Sequence, residues 1–220
     1  MRAIIRRLHS EQRGITLVEL LVAMLVTSLL LTLVGSFFVS MLKAQRTVSS
    51  VNDSTRQGTT SMTQVSRYLR EASRVQLTKT TNRAAFESAT ATSMRFYSGV
   101  DLTTSRAGLT KVTIDTQGTK LRMQLQRGDC PANGYCTFSG PTKTIVLADV
   151  VRTSGSNSTR FQYIDAGGDS ISPTATTMDS IRSVDVTLTV GSATGTTAND
   201  TTFQATINLR NLDYGAATES

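Results

Sequence analysis

Glu19 is the residue in this sequence whose chemistry most needs an explanation. It is the only charged side chain between Ile15 and Leu42, a run of 28 residues. A charged side chain at the centre of a bilayer costs about 2.5–3.5 kcal/mol on insertion scales. If this run enters a membrane or a protein interior, the carboxylate needs a partner.

Two cysteines form a second candidate pair. Cys130 and Cys136 enclose the letters CPANGYC, in which Pro131 and Gly134 favour a tight turn. A metal site would need further ligands, but no third or fourth ligand lies nearby and the only histidine is His9. We therefore expect a disulfide, which indicates an oxidising compartment outside the cytoplasm.

The apolar run is long enough to cross a membrane as a helix, since residues 20–39 supply the roughly 20 apolar residues that a span needs. A secretory signal peptide would have a shorter apolar core and a small-residue cleavage site, and SMLKAQ is a poor one. A signal anchor fits better. The first 14 residues carry a net charge of +3, which places the N-terminus in the cytoplasm and the chain after Leu42 outside.

The letters RGITLVELLVAMLV narrow this interpretation, because they resemble the processing motif of type IV prepilins. In that family the prepilin peptidase cleaves after the glycine, the next residue is N-methylated, and the fifth mature residue is glutamate. The resemblance implies cleavage between Gly14 and Ile15, methylation of Ile15, and a role for Glu19 in assembly. Ile15 departs from the phenylalanine that is most common at the first mature position.

Two roles for Glu19 remain open. Cleavage would create an α-amine on Ile15, and a carboxylate about one turn further on is favoured by the dipole of its own helix. The resemblance implies instead that Glu19 pairs with the Ile15 amine of a neighbouring subunit. Both roles remove the cost of a buried charge.

A helical pattern continues beyond the apolar run. Its stripe alternates spacings of three and four and consists of Val48, Val51, Thr55, Gly58, Met62, Val65, Leu69 and Ala72. This pattern predicts one helix from Ile15 to about Leu77, with Gly58 as its flexible point.

After about Thr78 the apolar period changes to two, which predicts strands. The predicted strands are 93–98, 110–115, 120–126, 143–151, 160–165, 183–190 and 202–209. No helix alternates with them, so the predicted fold class is α+β, with a long N-terminal helix, its first half transmembrane, packed on a mostly antiparallel sheet. That arrangement is the pilin fold which the resemblance implies.

Four segments are predicted from these patterns. They are a cleaved leader (1–14), a transmembrane or filament-core helix (15–42), the amphipathic second half of the helix (43–77) and a β-rich head (78–220).

The end of the chain adds a second resemblance, to the PilW-like and PulJ-like minor pilins or pseudopilins. Those proteins often have a late Phe-x-Tyr strand and a closing strand that ends in Leu-Arg-Asn. The matching residues here are Phe161, Tyr163, Leu209, Arg210 and Asn211.

Enzyme chemistry is not expected. His9 lies in the predicted leader, so the mature chain would have no histidine for a catalytic triad or a metal site. The letters DAGGDS, residues 165–170, offer two carboxylates but too few ligands for calcium, so we expect a turn. We predict no catalytic residue, no metal and no cofactor.

The resemblance implies a structural subunit, a minor pilin or pseudopilin of a type IV pilus or a type II secretion-like filament. Its implied partners are other pilin subunits, the prepilin peptidase and, before assembly, the inner membrane, with the head later in an extracellular or periplasmic filament. Two alternatives stay open. The remaining charge of +4 on the mature chain allows a competence pilin whose head binds DNA, and the chain could be an unprocessed membrane-anchored β domain.

Overall fold

The structure is a computed structural model that describes residues 16–78, 82–100, 108–131, 135–155, 157–191 and 199–213. The chain divides between Val48 and Ser49 into two compact units. A single helix, α1 (Leu17–Arg70), supplies the described part of the first unit and the beginning of the second. The predicted cleavage site, Gly14 and Ile15, lies outside the described residues.

The end of α1 differs from the prediction, because the helix stops at Arg70 and not at Leu77. Carbonyl groups in its last turn and just beyond it are bonded by residues from the β-rich part of the chain. The Ser98 hydroxyl donates to the Tyr68 carbonyl over 2.8 Å, and the Gly99 N–H donates to the Glu71 carbonyl over 2.9 Å. These bonds satisfy groups that the end of a helix would otherwise leave unpaired, so the chain leaves the helix there.

Eleven strands follow α1 in the described part of the chain. They are β1 (Val75–Gln76), β2 (Asn82–Arg83), β3 (Phe86–Ala89), β4 (Ser93–Ser98), β5 (Thr110–Gln117), β6 (Lys120–Arg127), β7 (Thr142–Ala148), β8 (Arg160–Ile164), β9 (Ser170–Ile171), β10 (Ser183–Val190) and β11 (Thr201–Asn208). A short helix, α2 (Arg210–Asp213), follows β11. The seven predicted strands are all present, and the four that the pattern missed have only two to four residues.

All described strand pairs are antiparallel, but they form more than the one sheet that was predicted. The orders are β3-β4-β5-β6-β7, β11-β10-β8-β9 and β1-β2. The predicted strand 143–151 ends early, at Ala148, because Val151 bridges to Val190 of β10 instead. The predicted α+β class, a long helix with antiparallel sheets, is confirmed.

One hydrophobic core joins the second half of α1 to both larger sheets. The core includes Val65 and Leu69 of α1, and the fully buried Phe96, Ile114 and Met123 of the five-stranded sheet. The four-stranded sheet contributes Val184, Leu188 and Ile207. In β5 and β6 the core residues alternate with more exposed ones, as expected for a sheet that buries one face, whereas β10 is buried along almost its whole length.

Gly58 is a packing position and not the flexible point that was predicted. The helix continues through it, and the ring of Phe203 lies so close that a Cβ built on Gly58 would fall within 2.0 Å of the Phe203 Cε2 atom. Only glycine leaves room for this ring, which brings β11 onto the helix.

Arg152 fixes the start of β11. Its Nε and Nη2 atoms donate to the two carboxylate oxygens of Asp200 over 2.7 and 2.8 Å. The guanidinium lies against Gly191, where a Cβ would come within 2.9 Å of it. A bidentate pair of this kind is rigid as well as strong, so it holds the two ends of the connection between β10 and β11 together.

Gly58→Ala tests the packing of Phe203. Alanine is normally better than glycine inside a helix by about 0.5–1 kcal/mol. Here we expect the free energy of unfolding of the β-rich unit to fall by about 1–3 kcal/mol, because the added methyl group overpacks the contact. Urea unfolding of the full chain in detergent, followed by near-UV circular dichroism, measures this.

Gly35→Ala is the matched control, since a Cβ there meets nothing within 4 Å, and it should leave that transition unchanged. Phe203→Leu should recover part of the loss when it is combined with Gly58→Ala. A Gly58→Ala protein that is more stable than the wild type would contradict the proposed contact.

The buried phenol of Tyr163 should make the protein less stable at alkaline pH. Its side chain is 2% exposed, its hydroxyl donates to the Thr90 carbonyl over 2.9 Å, and burial raises the pKa of the phenol above its ordinary value. The unfolded chain therefore loses this proton at about pH 10 while the folded chain keeps it. Stability is fully present below that pH and falls as the pH rises above it.

Tyr163→Phe should remove part of this alkaline slope. At neutral pH it should cost about 0.5–1.5 kcal/mol for the lost hydrogen bond. Urea midpoints of both proteins at pH 7, 9 and 10.5 supply the comparison, and equal slopes for the two would contradict the assignment.

Candidate functional site

The first turn of α1 is built by Thr16 and Glu19. The Thr16 Oγ1 atom accepts a hydrogen bond from the Glu19 N–H over 3.2 Å, and the Thr16 carbonyl accepts one from Leu20. Threonine before a helix and glutamate three residues later is the spacing of a capping box. This signal is visible in the sequence, but the prediction of the helix start rested on the apolar run and missed it.

The helix surface that follows is almost entirely apolar. The large apolar side chains between Leu17 and Leu42 are 41–79% exposed. The most apolar stretch of this helix has no residue that is buried in the protein. By length and composition this helix can cross a membrane. An apolar surface of this size needs lipid or another protein to cover it.

The hydroxyl groups of this segment are all bonded within the helix itself. Each donates to a carbonyl three or four residues earlier, over 2.7–2.9 Å. The donors are Thr27, Ser28, Thr32, Ser36 and Ser40. Because these groups are satisfied locally, they add little to the cost of moving the helix into an apolar environment.

Glu19 is the exception within this surface. No described residue forms an ion pair with its carboxylate or donates a hydrogen bond to it. Ala23 and Thr27 follow Glu19 one and two turns further along the same exposed face of the helix, with Leu20 and Met24 beside them. Small side chains beside a charge allow another helix to approach closely.

The two cysteines are joined in a disulfide, as the sequence predicted. The hairpin around them is held by reciprocal hydrogen bonds of 2.9 Å between Asp129 and Thr137. The next aromatic residue, Phe138, packs on Tyr97 with 4.9 Å between the ring centroids. The disulfide therefore stabilises a loop against the outer side of the five-stranded sheet and is far in sequence from Glu19.

The residues that carry the resemblance at the end of the chain are mostly core residues. Phe161, Tyr163 and Leu209 are at most 3% exposed. Arg210 and Asn211 are exposed, and the Asn211 amide lies 3.3 Å from the Ser73 hydroxyl and 3.4 Å from Glu71 Oε2. The apolar residues of this second resemblance therefore reflect how β8 and the end of β11 pack in the core.

The DAGGDS segment forms the expected turn between β8 and β9. One carboxylate oxygen of Asp165 accepts hydrogen bonds from the N–H groups of Gly167 and Asp169 over 2.9 and 3.0 Å. Gly168 has a φ of +88°, a backbone conformation that favours glycine. Within the described ranges, no group of three or more histidine, cysteine, aspartate or glutamate side chains is arranged to hold a metal.

Comparison with known families gives a match for the N-terminal segment. Residues 9–35 match the prokaryotic N-terminal methylation motif. The match includes Gly14, Ile15 and Glu19, and it confirms the resemblance to type IV pilin-like proteins over this segment. The methylation motif thus coincides with the capped start of α1 and with the first part of the exposed apolar surface.

The wider comparisons are less informative. No curated protein sequence matches the chain significantly. A chain in the crystal structure of the GspK–GspI–GspJ complex from the type 2 secretion system of enterotoxigenic Escherichia coli aligns at 15% identity with a TM-score of 0.42. The alignment covers 71% of this chain and 97% of that chain, and at this level of similarity it does not define a function.

Proposed function

We propose that this protein is a structural subunit of a filament, a minor pilin or pseudopilin that is anchored in the inner membrane before assembly. The observation that carries the proposal is the methylation motif at residues 9–35, which leads directly into an exposed apolar helix. The motif and the fold point to a structural subunit and not to an enzyme.

Membrane anchoring follows from the apolar helix and the charges around it. The segment 17–42 would lie in the bilayer, with the basic residues before it in the cytoplasm and the β-rich head outside. In a filament the same apolar surface would be covered by the helices of other subunits. The four segments 1–14, 15–42, 43–77 and 78–220 remain our proposed division of the chain, with the helix of the third segment ending at Arg70.

Processing would give Glu19 its partner. Cleavage between Gly14 and Ile15 by a prepilin peptidase would leave a methylated α-amine on Ile15. Thr16 and Glu19 already form the capped first turn, so the dipole of the helix supports the carboxylate. The helix dipole alone does not neutralise a carboxylate that has left the headgroup region. The Ile15 amine of a neighbouring subunit would supply the opposite charge.

The described charges do not favour the DNA-binding alternative. Six basic side chains of the described residues beyond position 48 lie within 4 Å of carboxylates, which offset their charge: Arg56, Arg74, Arg95, Lys120, Arg122 and Arg152. Nucleic-acid binding normally depends on basic residues that are clustered on one face.

The processing step predicts a change in mass. Protein isolated from cells that contain a prepilin peptidase should lack residues 1–14 and carry a methyl group on Ile15, as measured by intact-mass and peptide mass spectrometry. Gly14→Val should keep the leader, because the bulkier residue blocks the cleavage position. An intact N-terminus in cells that process other prepilins would contradict the proposal.

Substitution of Glu19 separates its two possible roles. Glu19→Ala should leave membrane insertion and cleavage intact and reduce incorporation into sheared filaments at least tenfold. The reason is that a charged hydrogen bond contributes about 1.5–3 kcal/mol. Immunoblots of the sheared and membrane fractions give the ratio.

Two further variants serve as controls. Thr32→Val changes a hydroxyl that is bonded within its own helix, so incorporation should stay normal. Thr16→Ala weakens the cap but keeps the carboxylate, and its effect should be smaller than that of Glu19→Ala. Normal incorporation of Glu19→Ala would show that the carboxylate serves only its own helix end.

A further inference from the structure

The open edges of the two larger sheets are not alike. Edge strands of natural proteins are usually protected by bulges, charged residues, proline or shortness, because an unprotected edge pairs with other chains. Among the described strands, β3 has a register shift between Phe86 and Ser88. The opposite edge, β7, carries Lys143 and faces a register shift between Leu121 and Arg122.

The four-stranded sheet has one short edge and one long edge. β9 has only two residues, whereas β11 has eight and pairs with β10 without any register shift. The letters of β11, TTFQATIN, contain no proline and no charged residue. Of the four edges of these two sheets, β11 is therefore the one without a recognisable protection.

The register shows which groups of β11 are free. The Leu209 N–H donates to the Arg182 carbonyl, so the odd-numbered residues of β11 form the hydrogen-bonded pairs with β10. Thr189 of β10 lies opposite Thr202, and its carbonyl accepts a hydrogen bond from the Arg152 N–H on the other side of β10, which agrees with this register. The backbone groups of Thr202, Gln204 and Thr206 therefore point to the open edge, where no described residue bonds them.

A groove of about 910 Å³ lies beside this edge. Its floor is apolar and is formed by Met62 of α1, Val100, and Phe203 and Ala205 of β11, all of which are partly buried against the core. A strand added to β11 would place every second side chain over this floor, as the odd-numbered residues of β11 do.

The rim of the groove is positively charged. Arg67 and Arg70 of α1 line it, both are exposed, and no described carboxylate lies within ion-pair distance of either. Glu71 also lines the groove, but its carboxylate lies beside the Asn211 amide. The charge at this end therefore favours an acidic occupant.

From these features we propose that the groove beside β11 binds an extended segment of a partner protein. The segment adds to the four-stranded sheet as a further strand, places small apolar side chains over the floor, and presents acidic side chains to Arg67 and Arg70. Main-chain hydrogen bonds supply affinity and the alternate side chains supply specificity, as in other cases of strand addition. The inference goes beyond the proposed function, because it concerns the head and does not need Glu19.

The binding test uses the full chain in detergent micelles and a labelled octapeptide. In the peptide, threonine alternates with valine over six residues, and two glutamates follow. Fluorescence anisotropy should show saturable binding. Amide hydrogen exchange measured by NMR should show new protection of Thr202, Gln204 and Thr206, while the odd-numbered amides, already bonded to β10, should change little.

Two pairs of variants test the geometry and the charge. Gln204→Pro removes an N–H that the fold does not use and should abolish binding, whereas Gln204→Ala, which keeps the N–H, should bind normally. Arg67→Glu combined with Arg70→Glu should weaken binding about tenfold, and a peptide that ends in two lysines should recover it. Lys143→Glu, on the five-stranded sheet, is a charge-reversal control away from the groove and should bind like the wild type.

Several results would overturn the inference. They are a lack of protection at the three even-numbered amides with saturating peptide, and equal binding by Gln204→Pro and Gln204→Ala. Protection that rises with protein concentration without peptide would identify a second copy of this chain as the occupant. Protection in the free protein at every concentration would show that the chain covers its own edge. Neither filament incorporation nor cleavage enters these readouts, so the proposed function can fail or succeed independently.

Discussion

The apolar surface of residues 17–42 has to be removed from water, and the carboxylate of Glu19 has to be neutralised in the same place. These two requirements act on one helix, because its large apolar side chains are exposed and its hydroxyl groups are already bonded to their own backbone. A bilayer satisfies the first requirement but not the second. In the filament that we propose, a bundle of helices with free N-terminal amines would satisfy both, and the methylation motif at residues 9–35 supports that proposal.

The second half of α1 has a different task, since it is the element around which the head is assembled. Ser61 donates to the Leu147 carbonyl over 2.8 Å, so a buried hydroxyl ties the helix to the five-stranded sheet. Phe203 on Gly58 ties it to the four-stranded sheet. Ser98 ends the helix by bonding the Tyr68 carbonyl. The helix is thus held by specific polar and close-packed contacts as well as by its apolar stripe.

The same packing leaves one edge of the head open. β11 is brought to the helix by Phe203 and is fixed at its start by Arg152 and Asp200, yet its other side has no described neighbour. An uncharged edge strand that is already paired along its other side, beside an apolar floor, is a preorganised surface, because a partner strand would not have to order it on binding. The exposed apolar helix surface of residues 17–42 and this edge belong to different parts of the chain, so the proposed anchoring surface and the proposed recognition surface are separate.

The sequence alone determined the parts that depend on local pattern. The methylation motif around Gly14 and Glu19, the long helix, the seven longer strands and the pairing of Cys130 with Cys136 are all visible as spacing or alternation along the chain. The cap at Thr16 was visible as well, although the apolar run obscured it.

The tertiary structure decided what depends on residues distant in sequence. Gly58 is a flexible position by propensity, but Phe203, far along the chain, makes it a contact. The helix ends at Arg70, where the Ser98 hydroxyl bonds the Tyr68 carbonyl and the Gly99 N–H bonds the carbonyl of Glu71, the first residue beyond it. The division into two larger sheets and the open edge of β11 likewise follow from which strands meet. Hydrogen bonds between strands join residues that no local period can relate, so only the folded chain determines them.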